Sequence, residues 1–159
     1  MPLQKQSLEH SAFRYEYNGL PNELISDIKI LSLDNPRLHG VYLGVWDTGA
    51  TTSLVTHKVF SDLNLTPVDT VTVHGVNSSV RAQVVVIDLI LPNGIKISGV
   101  RATVSETRGI DMLIGMDIIQ LGDFSISNFE GKTIFTFAMP PFRDRTDLYE
   151  KSMLVAKGN

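Results

Sequence analysis

Apolar residues recur along this chain in short runs, and most runs alternate with a period of two rather than 3.6. Ser26-Asp27-Ile28-Lys29-Ile30-Leu31-Ser32-Leu33 alternates as a half-buried strand does, and Asp34-Asn35-Pro36 ends it. Residues 40–46 are nearly all apolar, which predicts a second strand buried on both faces. Ser53-Leu54-Val55 is a short apolar piece. Thr56 then offers an N-cap to a short helix over residues 57–64, which Leu65-Thr66-Pro67 stops.

Beyond that point the pattern is strongly β. Residues 68–73 are rich in β-branched side chains, and His74-Gly75-Val76-Asn77-Ser78-Ser79 has the composition of a hairpin tip. Residues 80–91 predict a long strand, and Pro92-Asn93-Gly94 predicts a tight turn into another over residues 95–104. Met112-Leu113-Ile114-Gly115 reads as a compact strand, and residues 116–121 as a single short helix with Asp117 near its positive end. A hairpin over residues 124–137 turns at Glu130-Gly131, and Pro140-Pro141 closes the ordered part. Many short strands without a strand–helix rhythm predict an all-β antiparallel barrel or sandwich rather than a parallel α/β sheet. The organisation expected is an N-terminal extension over residues 1–24, one domain over 25–141, and a C-terminal tail or loosely docked helix over 142–159.

Composition narrows the function classes. A chain of 159 residues with 43% hydrophobic and 19% charged side chains is long enough for one sizeable core. A net charge of −3 gives no electrostatic reason to expect nucleic acid or an anionic membrane as partner. There is no cysteine, so thiolate nucleophiles, disulfides and cysteine-based metal sites are excluded. His10, His39, His57 and His74 show no metal-ligand spacing, and no phosphate-binding glycine loop is present, so neither metal nor cofactor is expected. No apolar run approaches membrane-spanning length and the N-terminus lacks a leader's apolar core, so a cytoplasmic protein is the expectation. Asn64 and Asn77 open glycosylation sequons, read as chance matches without a secretion signal.

Candidate chemistry concentrates at the end of the second strand. There Val45-Trp46-Asp47-Thr48-Gly49-Ala50 delivers a carboxylate to the rim of a core, followed by a hydroxyl and a glycine. Taken alone, such a sequence is also an ordinary strand-ending turn. Ser53 stands close by, but no nucleophile elbow surrounds it. Followed by the hairpin at residues 74–79 and by Leu113-Ile114-Gly115, the segment resembles the active-site signature of the retropepsin-like aspartic proteases, with the hairpin where that family carries its flap. The resemblance runs from about residue 25 to 140, and Met116-Asp117-Ile118-Ile119 is similar to the bacterial and cellular branch. Met116 stands where retroviral members usually have arginine, and Thr51 and Thr52 where they often have acids, so their dimer salt bridges do not carry over.

The resemblance implies a small closed antiparallel β-barrel with one or two short helices, acting as an aspartic endopeptidase on a peptide or protein substrate. Asp47, Thr48 and Gly49 would be catalytic; Ala50, His74, Gly75, Val76 and Asn77 would contact substrate. Two adjacent carboxylates sharing one proton can activate water and polarise a carbonyl together. The chain has a single Asp-Thr-Gly, so the second carboxylate requires a homodimer. The competing expectation is a β-barrel interaction module that keeps the fold without proteolysis.

Overall fold

The computed structural model describes residues 11–74 and 79–158. Its elements in order are β1 (Ala12–Asn18), β2 (Leu24–Ser32), β3 (His39–Trp46), β4 (Leu54–Val55), α1 (His57–Asp62), β5 (Asp69–His74) and β6 (Ser79–Ile90). They continue with β7 (Lys96–Val104), β8 (Met112–Ile114), α2 (Met116–Ile119), β9 (Asp123–Phe129), β10 (Lys132–Ala138) and α3 (Leu148–Lys157).

Alternation along β2 buries Ser26, Ile28, Ile30 and Ser32 while Asp27 stays exposed, as a half-buried strand requires. β2 pairs with β3 on one side and, at its far end, with β6 on the other. Hydrogen-bonded neighbours run β2-β3-β8-β4-β7-β6, and the β2–β6 pairing closes the ring. Of the barrel or sandwich that the apolar pattern predicts, this is the barrel, closed and with few short helices as the family resemblance implies. Two of its contacts, β3–β8 and β4–β7, are parallel. Its interior is apolar, with Ile28, Ile30, Val55, Ile87, Leu89 and Ile114 fully buried.

Among the described residues β5 joins the barrel only through β6. Burial along β6 explains why: residues 84–89 are buried or half-buried, whereas Ser79, Val80, Arg81 and Gln83 are exposed. The β5–β6 hairpin therefore leaves the barrel surface and projects from it.

A second sheet, ordered β1-β10-β9, packs its aromatic face on the barrel. Phe13, Phe124, Phe135 and Phe137 surround Trp46 of β3, with ring centroids 4.7 Å apart for Trp46–Phe137 and 5.3 Å for Trp46–Phe135. Such contacts add about 0.5–1.5 kcal/mol per pair beyond the area they bury. The Trp46 indole N–H donates to the buried Ser26 hydroxyl at 2.8 Å, so the one polar atom of the ring is satisfied. The barrel and the terminal sheet are thus locked together at the residue that precedes Asp47.

Residues 12–18, assigned above to an N-terminal extension, pair along their length with β10 in the register Phe13↔Phe137. The reason is an alternation of Phe13, Tyr15 and Tyr17 with Arg14 and Glu16, which places three aromatics on one face. Arg14 and Lys132 both pair with Glu16, which lowers its carboxyl's pKa on the exposed face. In the tail, Asp147 caps α3 by accepting from the Tyr149 and Glu150 amides, and no residue of that helix is buried.

Candidate active site

β8 lies parallel to β3 on one side and antiparallel to β4 on the other. The chain leaving β3 must therefore cross the end of β8 to reach β4, and residues 47–53 make that crossing. The Asp47 amide donates to the Ile114 carbonyl at 2.9 Å. Further on, the Met116 amide donates to the Ala50 carbonyl at 2.8 Å and the Asp117 amide to Thr51 at 3.2 Å. Both ends of the loop are thereby tied to the β8–α2 junction. Within the loop the Gly49 amide donates to Asp47 Oδ1 at 2.8 Å. Asp47 is half-buried, and Thr48 and Gly49 are exposed at the rim. A Cβ on Gly49 would lie 3.1 Å from the same Oδ1, so the lack of a side chain lets the amide approach.

Beneath the loop sits a buried polar contact set that the sequence did not reveal. Ser53 is fully buried. Its hydroxyl donates to Asp117 Oδ1 at 2.8 Å and accepts from the Gly115 amide at 3.0 Å. The Ser53 amide donates to Asp117 Oδ2 at 3.1 Å, and the Ile118 amide to Asp117 Oδ1 at 3.1 Å. Asp117 does stand in the first turn of a helix, as its spacing predicts, but its main contacts clamp β4 to α2. Gly115 completes the arrangement. A Cβ there would meet the Thr52 carbonyl carbon at 2.8 Å and the Ala50 oxygen at 2.9 Å, so only glycine lets the loop rest on the end of β8.

The expected substrate-contacting residues divide between two places. Ala50 lies in the Asp47 loop. His74 ends β5, opposite Ser79 in the projecting hairpin, while Gly75, Val76 and Asn77 lie outside the described residues. Between the outer part of the hairpin and the end of β7 a cleft of about 500 Å³ is lined by Val73, Val80, Ala82 and Val104, with His57, Arg81 and Glu106 among its charged and polar groups. His57 Nε2 stands 3.9 Å from Glu106 Oε1 there. The loop after β7 is anchored at its end by Asp111, which accepts from the Leu43 amide at 3.0 Å and pairs with Lys58 at 3.2 Å. Burial pulls Lys58 down, but Asp111 and Asp62 outweigh it and hold its ammonium above the ordinary lysine range. Among the described residues no group of three or more histidine and acidic side chains is arranged to hold a metal ion. None of the described helices is long and apolar enough to cross a membrane.

Comparison with known proteins places this geometry. Residues 44–121, from the end of β3 to just past α2, match the family model described as "gag-polyprotein putative aspartyl protease". No curated protein sequence matches the chain. Among solved structures, a retropepsin-like aspartic protease from Rickettsia conorii superposes with a TM-score of 0.51 at 12% identity, covering 80% of this chain and 93% of that one. The EIAV protease complexed with the inhibitor HBY-793 gives a TM-score of 0.48 at 21% identity over 65% of this chain and 90% of that one. The matched segment contains the whole Asp47 loop together with the β8–α2 junction that carries it, so over these residues the chain is similar to that aspartyl protease family, and its fold is that of the Rickettsia retropepsin-like protease.

Proposed function

We propose that the protein is an aspartic endopeptidase that hydrolyses extended peptides as a homodimer, with one Asp47 from each subunit. The observation that carries this reading is the seating of the Asp47 loop across the end of β8. That seating holds one carboxylate at the rim, with Oδ1 bound by the Gly49 amide and the loop clamped by Ser53 and Asp117.

Two carboxylates about 3 Å apart at an effective dielectric near 20 repel by roughly 5 kcal/mol, which one shared proton removes. The ionised member then takes a proton from the attacking water while the protonated member donates to the carbonyl oxygen of the scissile bond. Thr48, exposed beside Asp47, reaches the partner's loop and fixes the two carboxylates against each other. Gly49 leaves space for water, and the β5–β6 hairpin closes over substrate and adds backbone hydrogen bonds. The dimer is supported by β9, an edge strand among the described residues, onto which a second β9 can add antiparallel about a two-fold axis.

The test is Asp47→Asn beside the wild type on a mixed peptide library across mildly acidic to neutral pH. Asparagine keeps an acceptor for the Gly49 amide, so the variant stays folded and loses at least roughly a thousandfold in kcat/KM. Equal cleavage by both proteins, or none by either at concentrations where the chain is dimeric, refutes the assignment and leaves a barrel that binds without cutting.

A further inference from the structure

α3 is locally well specified, yet none of its residues is buried among the described residues. Asp147 Oδ1 accepts from the Tyr149 amide at 2.9 Å and the Glu150 amide at 3.2 Å. Glu150 falls in the first turn and Lys157 in the last, both favourable to the helix dipole. Leu148, Ser152 and Val155 recur at i, i+4 and i+7, with Tyr149, Met153 and Ala156 alongside, which makes one continuous and mostly apolar stripe. The Ser152 hydroxyl turns back to donate to the Tyr149 carbonyl at 2.7 Å, which removes its polarity from that face. Even so, Leu148 and Tyr149 are each 72% exposed and Val155 64%. A helix of 10 residues is below the length that holds by itself in water, roughly 12–15, so the stripe has to be covered for α3 to persist.

Its place in the fold indicates what covers it. The Phe142 amide donates to Asp123 Oδ2 at 2.7 Å, which pins the root of the tail to the first residue of β9. Among the described residues β9 is an edge of the terminal sheet, and it exposes Ile126 and Phe129, at 47% and 73%. A stable interface takes about 20–30 residues a side. β9 supplies 7 and α3 another 10, so the strand edge alone falls well short and the two together approach that size.

We propose that α3 is a dimerisation arm: its Leu148–Tyr149–Val155 stripe lies on a second copy of this chain, against the exposed side chains of that copy's β9. This rests on the dimeric reading above and adds the element that makes the dimer strong. By two-fold symmetry each arm is used once in each direction, so one substitution acts twice per dimer.

The experiment is sedimentation velocity over a wide concentration range on the full chain and on Tyr149→Lys/Val155→Lys, whose exposed positions leave the barrel intact. The variant's dimer dissociation constant should rise by at least about a hundredfold. An unchanged constant in a dimeric pair of proteins overturns the arm and leaves the dimeric reading standing. A wild type that stays monomeric at every concentration overturns both. In a second measurement, a photo-crosslinker at Tyr149 in a mixture of isotopically heavy and light chains should give heavy–light products. Crosslinks confined to single chains would mean that α3 folds back on its own sheet, which also overturns the proposal. Flotation of the wild type with anionic lipid vesicles, lost in the variant, would do so in favour of a membrane surface.

Discussion

Ser53→Ala is the most direct probe of how the Asp47 loop is held. The substitution deletes a buried hydroxyl that donates to the Asp117 carboxylate at 2.8 Å, a charge-assisted bond with a net contribution of about 1.5–3 kcal/mol. It also leaves the Gly115 amide, now bonded to that hydroxyl at 3.0 Å, without an acceptor, at a cost of about 1–3 kcal/mol. The Ser53 amide keeps its bond to Asp117 Oδ2, so the effect is partial. A loss of about 3 kcal/mol follows, and for a chain of 159 residues that lowers Tm by about 6–12 °C. Differential scanning calorimetry reads it. A cycle with Asp117→Ala separates the pair, since the coupling should be at least about 1 kcal/mol for groups in direct contact. A Tm within about 2 °C of wild type would falsify the claim that this serine carries the loop.

Gly115→Ala brings a methyl within 2.8 Å of the Thr52 carbonyl carbon, so the loop must lift; amide exchange at Asp47 and Met116 should accelerate, and kcat should fall roughly a hundredfold for a displacement near 1 Å. Unchanged exchange and turnover would show that the loop does not depend on this close approach. Asp88 is buried, which pushes its carboxyl up, but Lys96 at 2.7 Å and the Gly99 amide at 2.9 Å outweigh that and hold it below the usual carboxylate range. Its stabilising effect is therefore present above the unfolded value of about 3.9 and is lost as pH falls through the lower folded value. In urea unfolding, Asp88→Asn should be less stable than wild type at neutral pH, with the gap closing below about pH 4; a gap that stays constant down the acid limb would contradict the sign.

Much of the barrel is legible in the chain because alternation records which face of each strand is buried, as Ile28 and Ile30 against Asp27 illustrate. Partners are recorded less well. Nothing in Leu54-Val55 or Met112-Leu113-Ile114 distinguishes a parallel from an antiparallel neighbour, so β3–β8 and β4–β7 emerge only in the fold. The aromatics of β1 alternate as clearly as the residues of β2, yet the intervening Asn18-Gly19-Leu20-Pro21-Asn22 turn makes them look detached. Their partner β10 lies more than a hundred residues away, with Asn18↔Lys132 closing the ladder.

The site divides along the same line. Asp47, Thr48 and Gly49 are adjacent, and a local motif can carry them. Ser53 and Asp117 are 64 positions apart and acquire a joint role only because β4 and α2 meet across the end of β8. That meeting also bears on where the second carboxylate comes from. Asp117 is the other acid of the local network, but its Oδ1 accepts from the Ser53 hydroxyl and the Ile118 amide, and its Oδ2 from the Ser53 amide. Three donors fix its charge to the scaffold beneath the loop, and freeing it would undo the clamp that seats Asp47. The residue that looks nearest to completing a dyad within one chain is thus committed to building the half-site. A protease reading of this fold consequently needs a second copy, and β9 is one of the two edges, among the described residues, at which the terminal sheet can accept one.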